Sequence, residues 1–170
     1  MPERVDSAAL GRLLAEHGPA LALMAAYWTN SADDCVQEAL IELASLPSAP
    51  DRPEAWLYRR VRQRALNAAR AGGRRQKHED EAWRERLARR GEADPAKAAE
   101  LVDALAGLPP EERELVTLRF YSGLSYAEVA EALGASKSAV HRRTEAALER
   151  LRQLLQAPAN KGDRPCRTTN

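Results

Sequence analysis

Three groups of side chains in this sequence have the types and spacing to do chemistry, and the chemistry they suit is binding. The first lies in a helical stretch beginning near residue 137. At about 100° per residue, Val140, Thr144, Ala147, Leu148, Leu151 and Leu155 share one face. Ser138, Arg142, Glu145 and Glu149 point the other way, flanked by His141 and Arg152. Lys137, Ser138, His141, Arg142 and Glu145 therefore form an outward surface suited to nucleic acid. Arginine pairs with guanine edges, glutamate accepts from the cytosine amine, and cations hold phosphates. The second group is Trp56 and Tyr58 with Arg59, Arg60, Arg62 and Arg64. Basic side chains hold phosphates, and aromatic rings stack on unpaired bases. The competing reading puts Trp56, Leu57, Val61 and Ala65 in a core and leaves the arginines to solvent. The third group is an acidic helix with Asp34, Gln37, Glu38 and Glu42. Spacing alone reads it equally as a docking face or as a solvated surface.

No group of residues assembles a catalytic centre. His17, His78 and His141 are scattered, without metal-ligand spacing, a nucleophile elbow or a phosphate-binding glycine loop. Glu111-Glu112 and Asp33-Asp34 read as helix starts, with acids at the positive end of the dipole. Cys35 and Cys166 are far apart and belong to no CxxC pair, which fits a small buried residue and a free thiol in a reducing compartment. The chain opens on no charged-then-apolar leader, and Leu21–Trp28 is too short to span a bilayer. The expected setting is the cytoplasm, with no cofactor, no metal and no membrane contact.

The elements that position these groups are helical. Alanine, leucine, glutamate and arginine dominate the 170 residues, and aromatics make up only 5%, a bias toward helix over strand. The net charge of +1 hides an asymmetry. Residues 1–54 carry nine acids against three bases, whereas residues 55–78 carry eight bases and no acid. A first helix is expected over Ser7–Trp28, with Gly18-Pro19 as a candidate break or kink. Asn30-Ser31-Ala32-Asp33-Asp34 is a start signal for the next. Three prolines exclude helix over Leu46–Pro53, and a basic helix resumes at Glu54 and runs to about Ala71, before Gly72-Gly73. Beyond a charged stretch, Pro95 opens a short helix that Gly107 stops. Pro109-Pro110-Glu111-Glu112 starts another, carrying Leu115, Leu118, Arg119 and Phe120 and closed by Gly123. Ser125-Tyr126-Ala127-Glu128 is a capping box, Gly134-Ala135-Ser136 a tight turn, and a long helix follows to about Leu155. Two helices joined at a glycine are the helix-turn-helix pattern. Glycine supplies the left-handed position that the turn needs, and Ser136 can cap the second helix.

The segments Leu108-Pro109-Pro110-Glu111-Glu112-Arg113, Leu118–Ala130 and Leu133-Gly134-Ala135-Ser136-Lys137-Ser138-Ala139-Val140, with Leu148-Glu149-Arg150-Leu151-Arg152 as the ending, closely resemble the domain of sigma factors that binds the minus-thirty-five promoter element. Ala32-Asp33-Asp34-Cys35-Val36-Gln37-Glu38-Ala39 resembles the segment that docks on polymerase. Ala55-Trp56-Leu57-Tyr58-Arg59 and the basic helix after it resemble the minus-ten recognition and melting segment. The two motifs stand in the expected order, and only two promoter-recognition domains are present. That is similar to the extracytoplasmic-function group.

The resemblance implies an all-α protein of two small helical domains joined by a charged linker. Residues 1–73 would be a region-2-like domain, 74–95 the linker, 96–156 a region-4-like helix-turn-helix domain and 157–170 a disordered tail. It implies that Asp34, Gln37 and Glu38 contact core RNA polymerase at the β′ clamp helices, with the β flap a second contact. Trp56, Tyr58, Arg59, Arg60, Arg62, Gln63 and Arg64 would engage the minus-ten element of promoter DNA. Lys137, Ser138, His141, Arg142 and Glu145 would engage the minus-thirty-five element. An anti-sigma factor is a further partner that the family implies. Two features depart from the family pattern. The proline-rich Leu46–Glu54 loop lacks the usual aromatics, and Gln63 stands where many relatives have asparagine, which leaves the minus-ten preference and melting strength open. Two other functions remain: a helix-turn-helix regulator that never meets polymerase, and a sigma-like interaction protein that titrates a partner without melting DNA.

Overall fold

The computed structural model describes residues 4–72 and 95–156. The expected linker, apart from Pro95, and the expected disordered tail lie outside the described residues. Every regular element among the described residues is helical. Helix α1 spans Ser7–Ala25 and is capped by Asp6, whose Oδ1 accepts from Ala9 N at 2.7 Å. It runs through Gly18-Pro19 without breaking. An interior proline costs about 3 kcal/mol. Leu21, Leu23 and Met24 immediately follow it and are fully buried, each contributing about 1.5–3 kcal/mol, so packing outweighs the lost backbone bond. The helix ends three residues before the expected Trp28, and Ala26–Trp28 form a turn.

Helix α2 spans Ala32–Ser45. Ser31 precedes it without a side-chain cap bond, so Asp33 and Asp34 in the first turn carry the start signal. Helix α3 spans Pro53–Gly72 and opens on proline, which loses nothing there because the first helical N–H has no intrahelical acceptor. Helix α4 covers Pro95–Ala106 and α5 covers Pro110–Val116. A π-helical turn, Thr117–Tyr121, continues α5. Helix α6 covers Tyr126–Leu133 and α7 covers Lys137–Gln156.

Helices α1, α2 and α3 pack on one another, while α4, α5 and α6 pack around α7. The two sets meet, α3 lying against α6 and α1 against the π-helical turn. Buried apolar side chains from both sets, including Leu21, Tyr58, Val61, Leu115, Leu118 and Val129, form one continuous cluster. Of the side chains expected on the helix from Pro110, Leu115 and Leu118 are buried and Phe120 is 55% exposed, as the opposite face of a helix requires. Leu155, expected on the buried face of α7, is exposed because the chain there has run past the helices that cover Val140 to Leu151. No described helix is long and apolar enough to cross a membrane.

Candidate nucleic-acid and docking surfaces

The helix-turn-helix is built from local bonds that its residues dictate. Ser125 Oγ accepts from Glu128 N at 3.3 Å, and Glu128 Oε2 accepts from Ser125 N at 2.7 Å, closing the capping box on α6. These bonds hold the Glu128 carboxyl below its ordinary pKa. Gly134 ends α6 in the left-handed region at φ 64°, where a side chain would strain the backbone. Ser136 Oγ then accepts from Ala139 N at 3.2 Å and starts α7. On α7, Val140, Thr144, Ala147 and Leu151 are buried against the rest of the fold. Thr144 satisfies its hydroxyl by donating to Val140 O at 2.8 Å.

The opposite face is open. Lys137, Ser138, His141, Arg142 and Glu145 are all exposed, so the structure brings the whole first group together on one surface. His141 leans on the ring of Tyr126 at 4.8 Å and lies 3.5 Å from Glu145. Arg119 sits 4.9 Å over the same Tyr126 ring. Tyr126 and Arg119 thus buttress the recognition face from α6 and the π-helical turn, a role that the α7 wheel by itself does not reveal.

The second group divides. Tyr58, expected to contact DNA, is 0% exposed and packs edge-on against His17 at 5.9 Å, so in this conformation it supports the core and offers no ring to a base. Trp56 is half-buried against the same core. The arginines are locally acid-free in sequence, but the fold supplies acids from elsewhere. Arg60 Nε donates to Glu42 at 2.7 Å and Arg60 NH1 to Gln63 at 2.8 Å. Arg64 reaches Glu42 at 2.8 Å and also pairs with Glu38. Arg62 Nε donates to Glu114 at 2.8 Å. Arg59 is exposed and meets no acid among the described residues.

The third group lies on α2. Asp34, Gln37 and Glu38 are exposed, but Glu38 is tied to Arg64 and is not a free anion. A groove of about 500 Å³ runs between α1 and α2, floored by Leu14, Val36 and Leu40 and rimmed by Asp34 and Gln37. Arg60, more than any other group, pulls Glu42 below the ordinary carboxylate pKa, and Arg64 adds to the effect. Burial raises the Cys35 thiol, with Glu38 and Asp34 adding to the shift. Cys35 is therefore a packing residue.

Sequence reading misses Glu42 and Glu114 as partners. A signal existed for both. Glu38 and Glu42 are four apart, as are Arg60 and Arg64, the spacing of two facing helical rows. Glu114 falls on the stripe of Leu118 and Tyr121, where an acid must find a cation. Burial pushes the Glu114 carboxyl up, and Arg62 opposes that shift.

Comparison with known proteins agrees with this architecture. The family model for Sigma-70 region 2 matches residues 13–75, and that for Sigma-70 region 4 matches residues 104–153. The ECF RNA polymerase sigma factor SigD of Mycobacterium tuberculosis is 33% identical over 138 residues, covering 75% of this chain and 64% of that protein. SigK of Mycobacterium ulcerans, also named an ECF RNA polymerase sigma factor, is 32% identical over 135 residues, covering 74% of this chain and 72% of its own. The solved structure of CnrH in complex with the cytosolic domain of CnrY superposes with a TM-score of 0.60 at 30% identity, covering 91% of this chain and 92% of that one. RpoE from Bartonella quintana, solved with the anti-sigma factor NepR, shares the fold at a TM-score of 0.61 and 24% identity, covering 88% and 94%. The chain belongs to the extracytoplasmic-function family of RNA polymerase sigma factors.

Proposed function

We propose that this chain is a transcription initiation factor that binds core RNA polymerase and directs it to promoters bearing particular minus-ten and minus-thirty-five elements. Family membership supports the class, and the exposed polar face of α7 behind the Gly134 turn carries the reading. In this mechanism α7 enters the major groove at the minus-thirty-five element. Arg142 and Glu145 meet base edges, while Lys137, Ser138 and His141 hold the backbone. The α1–α2 groove with Asp34 and Gln37 docks on the β′ clamp helices, and the C-terminal helices meet the β flap. Arg59 leads the α3 contact with the minus-ten strand, Arg62, Gln63 and Trp56 flanking it. Arg60 and Arg64 hold α3 on α2, and Tyr58 holds it on the core. Polymerase makes the bonds, and this chain supplies no catalysis. Residues 1–73 and 96–156 act as the two working modules. An anti-sigma protein is a fitting partner, because CnrH and RpoE are each seen bound to another protein, in RpoE's case a named anti-sigma factor.

Run-off transcription from genomic DNA with core enzyme tests the proposal, and discrete start sites that require this protein are the expected result. Asp34→Ala should weaken core association while leaving duplex DNA affinity unchanged. Core association without start sites would instead favour a titrating protein, a reading to which the buried Tyr58 and the neutralised α3 arginines lend weight. No association with core enzyme at low salt would leave only a DNA-binding regulator.

A further inference from the structure

Helix α3 carries a second polar stripe beside the one that clamps it to α2. Arg59, Arg62, Gln63, Asn67 and Arg70 recur at spacings of three and four and share one face. That face is one wall of a groove of about 320 Å³, and the Gly134 turn with Ala132 and Leu133 is the other. The volume falls at the lower end of the range for small-ligand sites, about 300–1,000 Å³. Among the described residues no acid lines the groove. Arg59, Gln63, Asn67 and Arg70 are exposed, so solvent reaches it.

The stripe has two chemically different ends. At one, Arg59 and Arg62 stand a single turn apart. Arg59 meets no acid among the described residues. Arg62 Nε donates to Glu114, which is 1% exposed, and this bond fixes the guanidinium while leaving the rest of its fork to donate. Gln63 accepts from Arg60 through Oε1, so its amide N–H groups stay available. Two guanidinia and an amide in one turn suit a diphosphate, which arginine grips bidentately. At the other end Leu66 faces Leu133, and Arg70 NH1 donates to Asn67 Oδ1 at 3.4 Å. Apolar walls and a flat guanidinium take an aromatic ring, and an amide reads a base edge. Arg62 and Arg70 are eight residues apart, or about 12 Å along the helix at about 1.5 Å per residue. That is the reach of one nucleotide.

We infer that this groove is a binding site for a nucleoside diphosphate, with the phosphates on Arg59 and Arg62 and the base between Leu66 and Leu133 under Arg70. The site stands on its own geometry. Its consequence rests on the proposed role of α3 in DNA binding: Arg59 and Gln63 serve both ligands, so the nucleotide and the minus-ten strand compete.

The test is calorimetric titration of the full chain at low salt with ADP, inorganic pyrophosphate and adenosine. ADP should bind more tightly than either fragment. Arg59→Ala should weaken ADP and pyrophosphate alike, by about tenfold, as loss of a charged hydrogen-bond donor does. Arg70→Ala should weaken ADP about threefold and leave pyrophosphate unchanged. Arg12→Ala, on α1 and away from the groove, should change neither. Equal affinity for ADP and pyrophosphate overturns the inference, as does a loss in Arg12→Ala that matches Arg59→Ala. If ADP does not bind, while Arg70→Ala weakens binding of a fluorescein-labelled single-stranded oligonucleotide, the groove belongs to the DNA path and the inference falls. ADP that binds with the expected split between the two ends, yet fails to displace that oligonucleotide, upholds the site and counts instead against the assignment of α3 to DNA.

Discussion

Replacing glycine by alanine at two positions should move stability in opposite directions, although neither new methyl group meets a neighbour. Gly134 and Gly11 both have open space where a Cβ would stand. Gly134 sits at φ 64°, ψ 37°, and Gly11 lies inside α1 with an ordinary helical backbone. Alanine in the left-handed region costs about 1–2 kcal/mol, and a stiffer unfolded chain returns about 0.4–1 kcal/mol of that. Gly134→Ala should therefore lose about 1 kcal/mol, or about 2–4 °C in Tm for a chain of this size. Gly11→Ala should gain about 0.5–1 kcal/mol, because alanine is the better interior helix residue. The two sites share no contacts, so the double variant should return close to wild type. Gly134→Asn should fall between glycine and alanine, since asparagine tolerates this conformation. Thermal and urea unfolding followed by far-ultraviolet circular dichroism measures all four variants. Shifts of the same sign at both sites, or no loss at Gly134, would refute the argument that backbone conformation alone separates them.

The α2–α3 clamp predicts a pH response: Arg60 and Arg64 lower the Glu42 pKa on folding, so its contribution is present above the ordinary value of 4.5 and is lost as pH falls through the lowered one. Glu42→Gln should be less stable than wild type near neutrality, with the gap closing in acid, as urea titrations at several pH values would show. Arg62→Met leaves the buried Glu114 carboxylate without its cation and should cost about 3–5 kcal/mol in urea unfolding at neutral pH. Burial already raises the Glu114 pKa, so the folded chain holds that proton more readily and the loss should shrink as pH falls. Adding Glu114→Leu should recover most of it, and no recovery would mean that the arginine's packing mattered more than its charge. Arg142→Ala should weaken duplex promoter binding by about 1–3 kcal/mol with core association intact, measured by anisotropy and pull-down. Equal loss of both would show that the fold had failed.

How much was legible depended on how local the cause was. The α7 face followed from its wheel, because Val140, Thr144, Ala147 and Leu151 keep one helical period against one wall. The capping box and the Gly134 turn followed from single residues with one strong conformational preference each. Pro19 misled, because its local penalty is visible in the sequence and the burial that overrides it is not. Tyr58 misled in a similar way: an aromatic among arginines suits a base, but it also suits a core against His17, and only the approach of α1 chooses. The arginine pairings with Glu42 and Glu114 join residues 18 and 52 positions apart. The first could be read from matching four-residue spacings. For the second, the stripe of Leu118 and Tyr121 shows that Glu114 needs a cation, but that the cation is Arg62 follows only from the packing of the C-terminal helices on α3, which no local pattern encodes.

The π-helical turn has a consequence for alignment by counting. Ser122 N donates to Thr117 O at 3.0 Å and Leu124 N to Leu118 O at 3.2 Å, so the winding there takes up more chain than an α-turn does. Upstream and downstream of Thr117 the chain is out of angular phase. Removing one residue from this stretch would rotate everything between it and Gly123 by about 100° relative to α5, carrying Leu118 out of the core and Phe120 toward it. The turn works as a vernier between α5 and the helix-turn-helix, and the direction in which α7 faces is set partly by the winding of these five residues.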